Sequence, residues 1–193
     1  MKIIKKIAWV QCIGSRDLQA QADFCSNVCC MAAIKEALVV KEKFGRHIDT
    51  SIYYIDMRTF GKTYQRYRDK AEKEHAVHFE RGRVHTVALE STGREIHGDL
   101  SIRYADLHGH IRIKTYDMVV LAVGQRPAQG VTELAETLEL PLNKWGYCKS
   151  EPFSMTRTRK EGVVIAGAYS GLKEISESVI QASAAGQCAS QVI

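Results

Sequence analysis

Residues 3–14, which read IIKKIAWVQCIG, carry the pattern that decides the fold. An apolar run rich in β-formers that stops at Gly14 and Ser15 is typical of a buried strand followed by a loop. Dinucleotide-binding chains place the sequence G-x-G-x-x-G after such a strand, so that the backbone can approach a pyrophosphate. Here residues 12–17 read CIGSRD, and the fingerprint occurs nowhere in the chain. We therefore expect cysteine side chains in the crevice that a nicotinamide dinucleotide would fill.

The chain around this strand alternates between helix and strand patterns. A helix is predicted to begin near Asp23 or Ser26, either of which can cap its first turn, and to end near Phe44. Further strands are predicted at residues 51–57, 77–80, 83–89, 99–104, 111–115, 117–124 and 162–168, and further helices at 62–74, 133–138 and 176–193. The strands within 83–115 predict an antiparallel meander, whereas the uninterrupted apolar run 117–124 predicts a strand buried on both faces of a parallel sheet.

This order of elements predicts an α/β fold, namely a Rossmann-like domain of the FAD/NAD(P)-binding type with a parallel sheet and an antiparallel β-meander. The composition shifts after Pro127 to a loop-rich stretch that ends in a strand and a helix of small residues. We therefore predict one domain over residues 1–127 and a second over residues 128–193.

The composition argues against an intrinsically disordered, a collagen-like and a coiled-coil protein. The chain has 193 residues, of which 45% are hydrophobic and 25% charged, as in ordinary globular proteins. The 27 basic and 22 acidic residues give a net charge of +5, and acidic residues are interleaved in the basic stretch 58–83, so we expect no nucleic-acid partner. No apolar run reaches the ~18 residues of a membrane span and no export signal is evident, so we expect a cytoplasmic protein.

Four of the six cysteines lie between positions 12 and 30. A chain of this size without an export signal is expected in a reducing compartment, where clustered cysteines indicate metal or redox chemistry rather than disulfides. Cys25 and Cys29 are four residues apart and would share one face of the predicted helix, with Cys30 one step around it. Cys12 can reach them from the end of the first strand.

Four thiolates at a helix N-terminus favour an iron–sulfur cluster, because the cluster with its ligands is an anion and the helix dipole stabilises negative charge there. Zinc also accepts four thiolates, although its usual paired C-x2-C knuckles are missing. A redox-active dithiol and an incidental group of small buried side chains are the remaining interpretations. Cys148 and Cys188 show no partner pattern, and Asp56 is either a ligand of a ribose hydroxyl or a member of a loop salt bridge.

Five segments resemble one known family: VQCIGSRD at 10–17, CSNVCCMAAIKEAL at 25–38, YYIDMRTFGKTY at 53–64, MVVLAVGQRP at 118–127 and GVVIAGA at 162–168. They are similar to the A subunit of heterodisulfide reductase and its relatives, which are electron carriers with flavin, iron–sulfur clusters and a thioredoxin-reductase-like core. The resemblance implies that a [4Fe–4S] cluster is held by Cys12, Cys25, Cys29 and Cys30.

The same resemblance implies where FAD would contact the chain. Gly124 lies in the segment that leads back to the flavin domain, and Gly167 with Ala168 matches the place where related flavoproteins have Gly-Asp near the ribityl chain. Ala168 departs from that pattern and offers no carboxylate. The start of the last helix, near Ser178 and Val179, would face the flavin or its phosphates.

The family's N-terminal FAD-binding segment, with its glycine fingerprint, has no counterpart here. We therefore expect a fragment or truncated relative, with an inserted NAD(P)-binding-like domain followed by the C-terminal part of a flavin domain. The implied function is an electron-transfer module between FAD and other redox subunits, with a homodimer allowed and the fragment alone expected to be inactive. A pyridine-nucleotide-dependent disulfide oxidoreductase that uses a cysteine dithiol is the alternative.

Overall fold

The computed structural model of the protein describes residues 3–90 and 99–191, and the chain divides into two compact units. The first unit comprises residues 1–16 and 29–123, and the second comprises residues 17–28 and 124–193. The short stretch 17–28, which lies inside the predicted domain 1–127, thus belongs to the second unit.

The first unit is built on a sheet of four parallel strands in the order β3-β2-β1-β7. These strands are β1 (Lys6–Val10), β2 (Asp49–Tyr54), β3 (Val77–Arg81) and β7 (Met118–Leu121). The helices α1 (Cys29–Phe44) and α2 (Tyr64–His75) connect β1 to β2 and β2 to β3. This arrangement confirms the predicted Rossmann-like α/β fold.

One face of this sheet packs against the helices. The apolar positions of α1 recur with helical spacing, so that Ile34 and Ala37 are fully buried against β1 and β2. Ile52 of β2 is equally buried, and each such isoleucine contributes about 1.5–3 kcal/mol of hydrophobic stabilisation. Trp9 adds a polar contact, because its Nε1–H donates to Glu36 Oε2 of α1 at 2.7 Å.

The opposite face packs against the predicted antiparallel meander, which is confirmed. Its strands are β4 (Val84–Leu89), β5 (Leu100–Ala105) and β6 (Ile111–Tyr116), in that spatial order. Alternate residues of β1 point to opposite faces, so Ala8 and Val10 contact this side while Trp9 contacts the helices. Tyr53 and Tyr116 share a buried hydrogen bond between their hydroxyls at 2.8 Å.

The prediction that the strand within 117–124 is buried on both faces is wrong. β7 is the end strand of the four-stranded sheet, and Met118 and Leu121 are 40% and 47% exposed. The strand and its parallel pairing with β1 are as predicted, and Val120 and Val119 pack toward the two faces, but an end strand is covered less completely than a central one.

The second unit contains α3 (Val131–Thr137), α4 (Ile175–Ala189) and a 3₁₀ turn at Gly167–Tyr169. α3 and α4 correspond to the predicted helices, although residues 192 and 193 of the predicted range lie outside the described part of the chain. No helix in the described residues combines the length and the apolar character needed to cross a membrane.

The strand predicted at 162–168 is wrong. Within the described residues this segment forms a single bridge between Arg157 and Val164 and then enters the 3₁₀ turn. Ile165 packs with Ala135, Leu140 and Cys148 in a small core. The apolar character of the segment therefore reflects burial in this core rather than membership of a sheet.

Candidate functional site

The carboxyl edge of the parallel sheet organises the first part of the candidate site. From β1 the chain proceeds through α1 to β2 on one side, whereas β7 returns on the other side of β1. This reversal is a topological switch point, the place where open α/β sheets bind ligands. Cys12 lies two residues after β1 and therefore at this point.

Two backbone hydrogen bonds hold the turn after β1 against the end of β7. The N–H groups of Ile13 and Gly14 both donate to Ala122 O, at 3.2 and 3.4 Å. A Cβ atom on Gly14 would lie 1.6 Å from Val123 O, so only glycine allows this close approach. Cys12 itself has a φ of +62°, a left-handed conformation that costs a non-glycine residue about 1–2 kcal/mol.

Cys29 and Cys30 form the start of α1 and thus lie at the same edge as Cys12. Cys30 is buried, and its thiol donates a long hydrogen bond to Asp56 O with 3.9 Å between sulfur and oxygen. Cys12 and Cys29 are half-buried. Three of the four predicted cluster ligands therefore come from elements that meet at the carboxyl edge of the first unit.

Asp56, two residues after β2, forms the loop salt bridge that was one of its two interpretations. Its carboxylate accepts from Arg16 at 2.6 Å and from Arg58 at 3.2 Å. The hydrogen bond from Arg16 is the main reason that the pKa of Asp56 lies below the ordinary value of 3.8. The two guanidinium groups outnumber the one carboxylate, so this group of side chains is positively charged, and the backbone oxygen of Asp56 accepts from Cys30.

The fourth predicted ligand, Cys25, does not lie on α1. The helix begins at Cys29, so the predicted pairing of Cys25 and Cys29 on one helical face is wrong. Asn27 has a φ of +67°, which prevents the helix from extending back through it. Its backbone N–H instead donates to Cys25 Sγ at 3.4 Å.

The candidate caps Asp23 and Ser26 are engaged elsewhere in the second unit, which explains why the helix does not begin beside them. Ser26 Oγ accepts from the backbone N–H of Gln125 at 2.9 Å. The Asp23 carboxylate binds Lys144 at 2.6 Å and also accepts from Trp145 Nε1. The hydrogen bond from Lys144 is the first cause of the lowered pKa of Asp23.

The chemistry of the donor set fits an iron–sulfur cluster. Thiol sulfur is the usual ligand of such clusters, and the N–H of Asn27 and the guanidinium of Arg16 are the donor types that stabilise thiolates and anionic clusters. Among residues 3–90 and 99–191, no three Cys, His, Asp or Glu side chains are grouped closely enough to hold a metal ion. The four cysteines as ligands therefore stay a prediction.

The predicted flavin-contacting residues belong to the second unit. Gly124 and Gly167 have φ values of +77° and +65°, in the left-handed region that favours glycine. Gly167 donates its N–H to Gln181 Oε1 at 2.8 Å, and Ala168 follows it in the 3₁₀ turn. A Cβ atom on Gly167 would lie 3.9 Å from the Ser178 side chain, so these two predicted residues are neighbours.

The start of α4 is more acidic than a phosphate site would require. Ser178 lies in its first turn and donates from Oγ to Glu174 O at 2.9 Å, and Val179 is 60% exposed. The Glu177 carboxylate accepts the N–H of Glu174 at 2.8 Å. The flavin contacts of Ser178 and Val179 stay predictions, but negative charge at this end of the helix disfavours phosphate.

Gln11 is not among the site residues predicted from the sequence. It directly precedes Cys12 and is only 6% exposed. In the described part of the chain, neither its Oε1 nor its Nε2 has a hydrogen-bond partner. The available signal was an amide side chain at the end of an otherwise apolar strand.

Comparisons with known proteins identify the family. The iron-sulfur A 2 subunit of CoB–CoM heterodisulfide reductase from Methanopyrus kandleri is 36% identical over 184 residues, which are 94% of this chain and 27% of that protein. The A subunit of the ferredoxin/F420H2-dependent CoB–CoM heterodisulfide reductase from Methanosarcina acetivorans is 35% identical over 98% of this chain and 23% of that protein. The chain belongs to the family of heterodisulfide reductase A subunits. It spans about a quarter of the length of the relatives that it matches.

Solved structures agree with the fold of this segment of the heterodisulfide reductase family. LpdA from Mycobacterium tuberculosis matches with a TM-score of 0.56 and 16% identity, over 98% of this chain and 35% of LpdA. L-lysine 6-monooxygenase from Pseudomonas syringae matches with a TM-score of 0.54 and 12% identity, over 99% of this chain and 54% of that enzyme. At these identities the matches support the fold alone. No protein-family model matches the sequence.

Proposed function

We propose that this heterodisulfide reductase segment is an electron-transfer module that holds a [4Fe–4S] cluster through Cys12, Cys25, Cys29 and Cys30. The observation that carries the proposal is the position of Cys12, Cys29 and Cys30 at the carboxyl edge of the sheet, at its switch point. The name of the Methanopyrus relative, which is an iron-sulfur subunit, gives independent support.

In this proposal, each element at the carboxyl edge of the sheet either positions a cysteine or stabilises the negative charge of the cluster. The turn after β1 fixes Cys12 by its bonds to Ala122, and the first turn of α1 presents Cys29 and Cys30. The dipole of α1 stabilises negative charge at the start of the helix. Arg16 adds a positive charge, which favours an anionic cluster over neutral thiols.

A bound cluster of this kind supplies one-electron transfer at a potential set by its charge, hydrogen bonds and exposure to solvent. The burial of Cys30 keeps water from one side of the proposed site, whereas the half-buried Cys12 and Cys29 leave an approach for a redox partner. We infer that other redox subunits are those partners, because the Methanosarcina relative is named as a subunit of a reductase. We infer a cytoplasmic location, because thiol ligands persist in a reducing compartment.

FAD in a longer protein would be the second redox group, contacted by Gly124, Gly167, Ala168, Ser178 and Val179. Gly124 and Gly167 adopt left-handed backbone conformations and present no side chain, which permits a close approach of a planar ring. The acidic start of α4 disfavours phosphate, so we propose that this helix faces the flavin ring rather than its phosphates.

Anaerobic reconstitution of the full chain with ferrous iron and sulfide tests the cluster. We expect about four iron and four sulfide ions per chain, as a [4Fe–4S] cluster requires. Single serine substitutions of Cys12, Cys25, Cys29 and Cys30 are each expected to reduce bound iron at least several-fold.

The two remaining cysteines are matched controls for these variants. Cys148 is buried in the core of the second unit, and Cys188 accepts a hydrogen bond from Thr156 at 3.3 Å, so Cys148→Ser and Cys188→Ser should keep the iron content of the unsubstituted chain. Stoichiometric zinc without iron, or a Cys12→Ser variant that loads fully, would contradict the proposal. Thiol turnover with NAD(P)H that survives Cys12→Ser would favour the disulfide oxidoreductase alternative instead.

A further inference from the structure

Gln11 combines burial with an unused capacity for hydrogen bonding. Its side chain is 6% exposed, and neither Oε1 nor Nε2 has a partner within the described residues. Folded proteins satisfy most buried amides, so an unsatisfied one is a reason to look for a missing partner. The backbone of Gln11 is ordinary, because its N–H donates to Tyr53 O at 3.0 Å and continues the ladder between β1 and β2.

Strand geometry places the Gln11 side chain on the helix side of the sheet. Ile7 and Trp9 contact the helices, and side chains of a strand alternate between faces, so Gln11 extends the same row. The neighbouring residue Val10 belongs to the other set and contacts the meander. Gln11 therefore projects toward α1 rather than toward the meander.

The part of α1 that lies beside Gln11 can be estimated from the contact that Trp9, two residues earlier in β1, makes with the helix. Trp9 Nε1 reaches Glu36 Oε2 of α1 at 2.7 Å. Two residues of strand advance about 7 Å, which equals the rise of four to five residues of helix, and α1 runs antiparallel to β1. Gln11 is therefore at the level of about residues 31–32, in the first turn of the helix that begins with Cys29 and Cys30.

We propose that Gln11 Nε2 donates a hydrogen bond to a sulfur atom of the bound cluster and thereby raises its reduction potential. The inference rests on the proposed function, since it assigns the missing partner of Gln11 to the group that Cys12, Cys29 and Cys30 would hold. Reduction adds negative charge to the cluster sulfurs, and an N–H donor stabilises the reduced state more than the oxidised state. Gln11 is thus a positioning and tuning residue rather than a ligand.

The test compares Gln11→Met and Gln11→Leu with the unsubstituted chain, before and after anaerobic reconstitution. Both variants replace the amide by an apolar side chain of similar size and so remove the Nε2 donor. We expect unchanged iron content and a lower midpoint potential in an EPR-monitored redox titration. The expected change is about tenfold in the equilibrium constant for reduction, or about 59 mV for a one-electron couple.

Thr50→Val is the matched control. Thr50 is fully buried, its Oγ1 also lacks a partner among the described residues, and it lies near the amino end of β2, at the opposite edge of the sheet. This variant removes an unsatisfied buried hydroxyl and should leave the potential unchanged. In the apo-protein, Gln11→Met and Thr50→Val should both keep or raise the melting temperature, because neither side chain has a protein partner to lose.

The outcomes separate this inference from the function on which it rests. If the unsubstituted chain takes up no iron and sulfide, both fail together. If it loads normally and Gln11→Met and Gln11→Leu titrate at the potential of Thr50→Val, only the role of Gln11 is overturned. A melting temperature of the Gln11→Met apo-protein several degrees below that of the unsubstituted chain would likewise overturn it, since Gln11 would then bond to the protein itself.

Discussion

Replacing Gly14 by alanine tests how tightly the turn that carries Cys12 is fixed. The new Cβ would lie 1.6 Å from Val123 O and 2.4 Å from Val123 C, and contacts under 3.0 Å are essentially never seen for real Cβ atoms. Both atoms belong to the backbone, so no side chain can rotate away. The turn and the segment after β7 must separate by about 1.4 Å.

The energetic cost follows from what this separation breaks. The N–H groups of Ile13 and Gly14 donate to Ala122 O at 3.2 and 3.4 Å, and neither bond survives a displacement of that size. Each lost bond costs about 1 kcal/mol. Overpacking of an ordered segment adds about 1–3 kcal/mol. Together these costs lower the free energy of unfolding by about 3–5 kcal/mol.

Urea unfolding followed by far-UV circular dichroism measures this loss. With a slope of about 2–3 kcal/mol per molar urea, the midpoint should fall by roughly 1–2.5 M. Gly186→Ala is the control, because a Cβ on Gly186 of α4 would meet nothing within 4 Å. Alanine should stabilise that helix by about 0.5–1 kcal/mol.

Iron uptake is the second measurement on Gly14→Ala. We expect it to retain less iron than Gly186→Ala after reconstitution, since displacement of the turn moves Cys12. An unchanged unfolding midpoint would refute the assignment of close packing at Gly14. A destabilised variant that still holds four irons would refute the coupling between this turn and the proposed ligand.

Two further predictions concern polar pairs of the first unit. Because Arg16 holds the pKa of Asp56 below its ordinary value, the pair stabilises the fold above about pH 4 and this contribution is lost as the pH falls through the lowered pKa. Arg16→Ala should raise that pKa in an NMR titration, and an unchanged value would contradict the assignment. Tyr53→Phe and Tyr116→Phe should each cost about 1–2 kcal/mol, because each leaves a buried hydroxyl without its partner at 2.8 Å. In urea unfolding the double variant should lose less than the sum of the two, and simple additivity would argue against the hydroxyl pair.

The elements that sequence predicts well here are those whose pattern is local. The helical spacing of Ile34 and Ala37 predicted α1, and the β-type runs separated by turns within 83–115 predicted the meander. For α1 the spacing also reports which face is buried, and in both cases the signal is local, so no knowledge of distant partners is needed.

The errors arise where distant contacts decide the structure. Asn27 adopts a left-handed conformation and Ser26 bonds to the backbone of Gln125, so the helix begins at Cys29 and excludes Cys25. Nothing in the sequence of residues 23–29 predicts a hydrogen bond to Gln125, which lies about a hundred positions away. The edge position of β7 is likewise set by the topology of the whole sheet.

The candidate site was likewise predictable where local residue types decide it and not where distant contacts do. Clustering of residue type singled out Cys12, Cys25, Cys29 and Cys30, but the sequence did not show that only three of them lie at the carboxyl edge of the first unit. The sequence could not reveal that Arg16 pairs with Asp56 or that the amide of Gln11 is buried without a partner among the described residues, since both facts depend on the packing of β1 against its neighbours.

The pairing of β1 with β7 has a consequence for synthesis on the ribosome. The two strands are parallel and join Ile7 to Met118, so β1 leaves the ribosome long before its second neighbour exists. Closing such a distant contact is slow, because the intervening chain must be ordered first. The turn of Cys12, anchored on Ala122, is therefore completed only after residue 122 has emerged. Until then the nascent chain carries its thiols without their final support, so the proposed cluster would be loaded only after the residues beyond 122 have emerged.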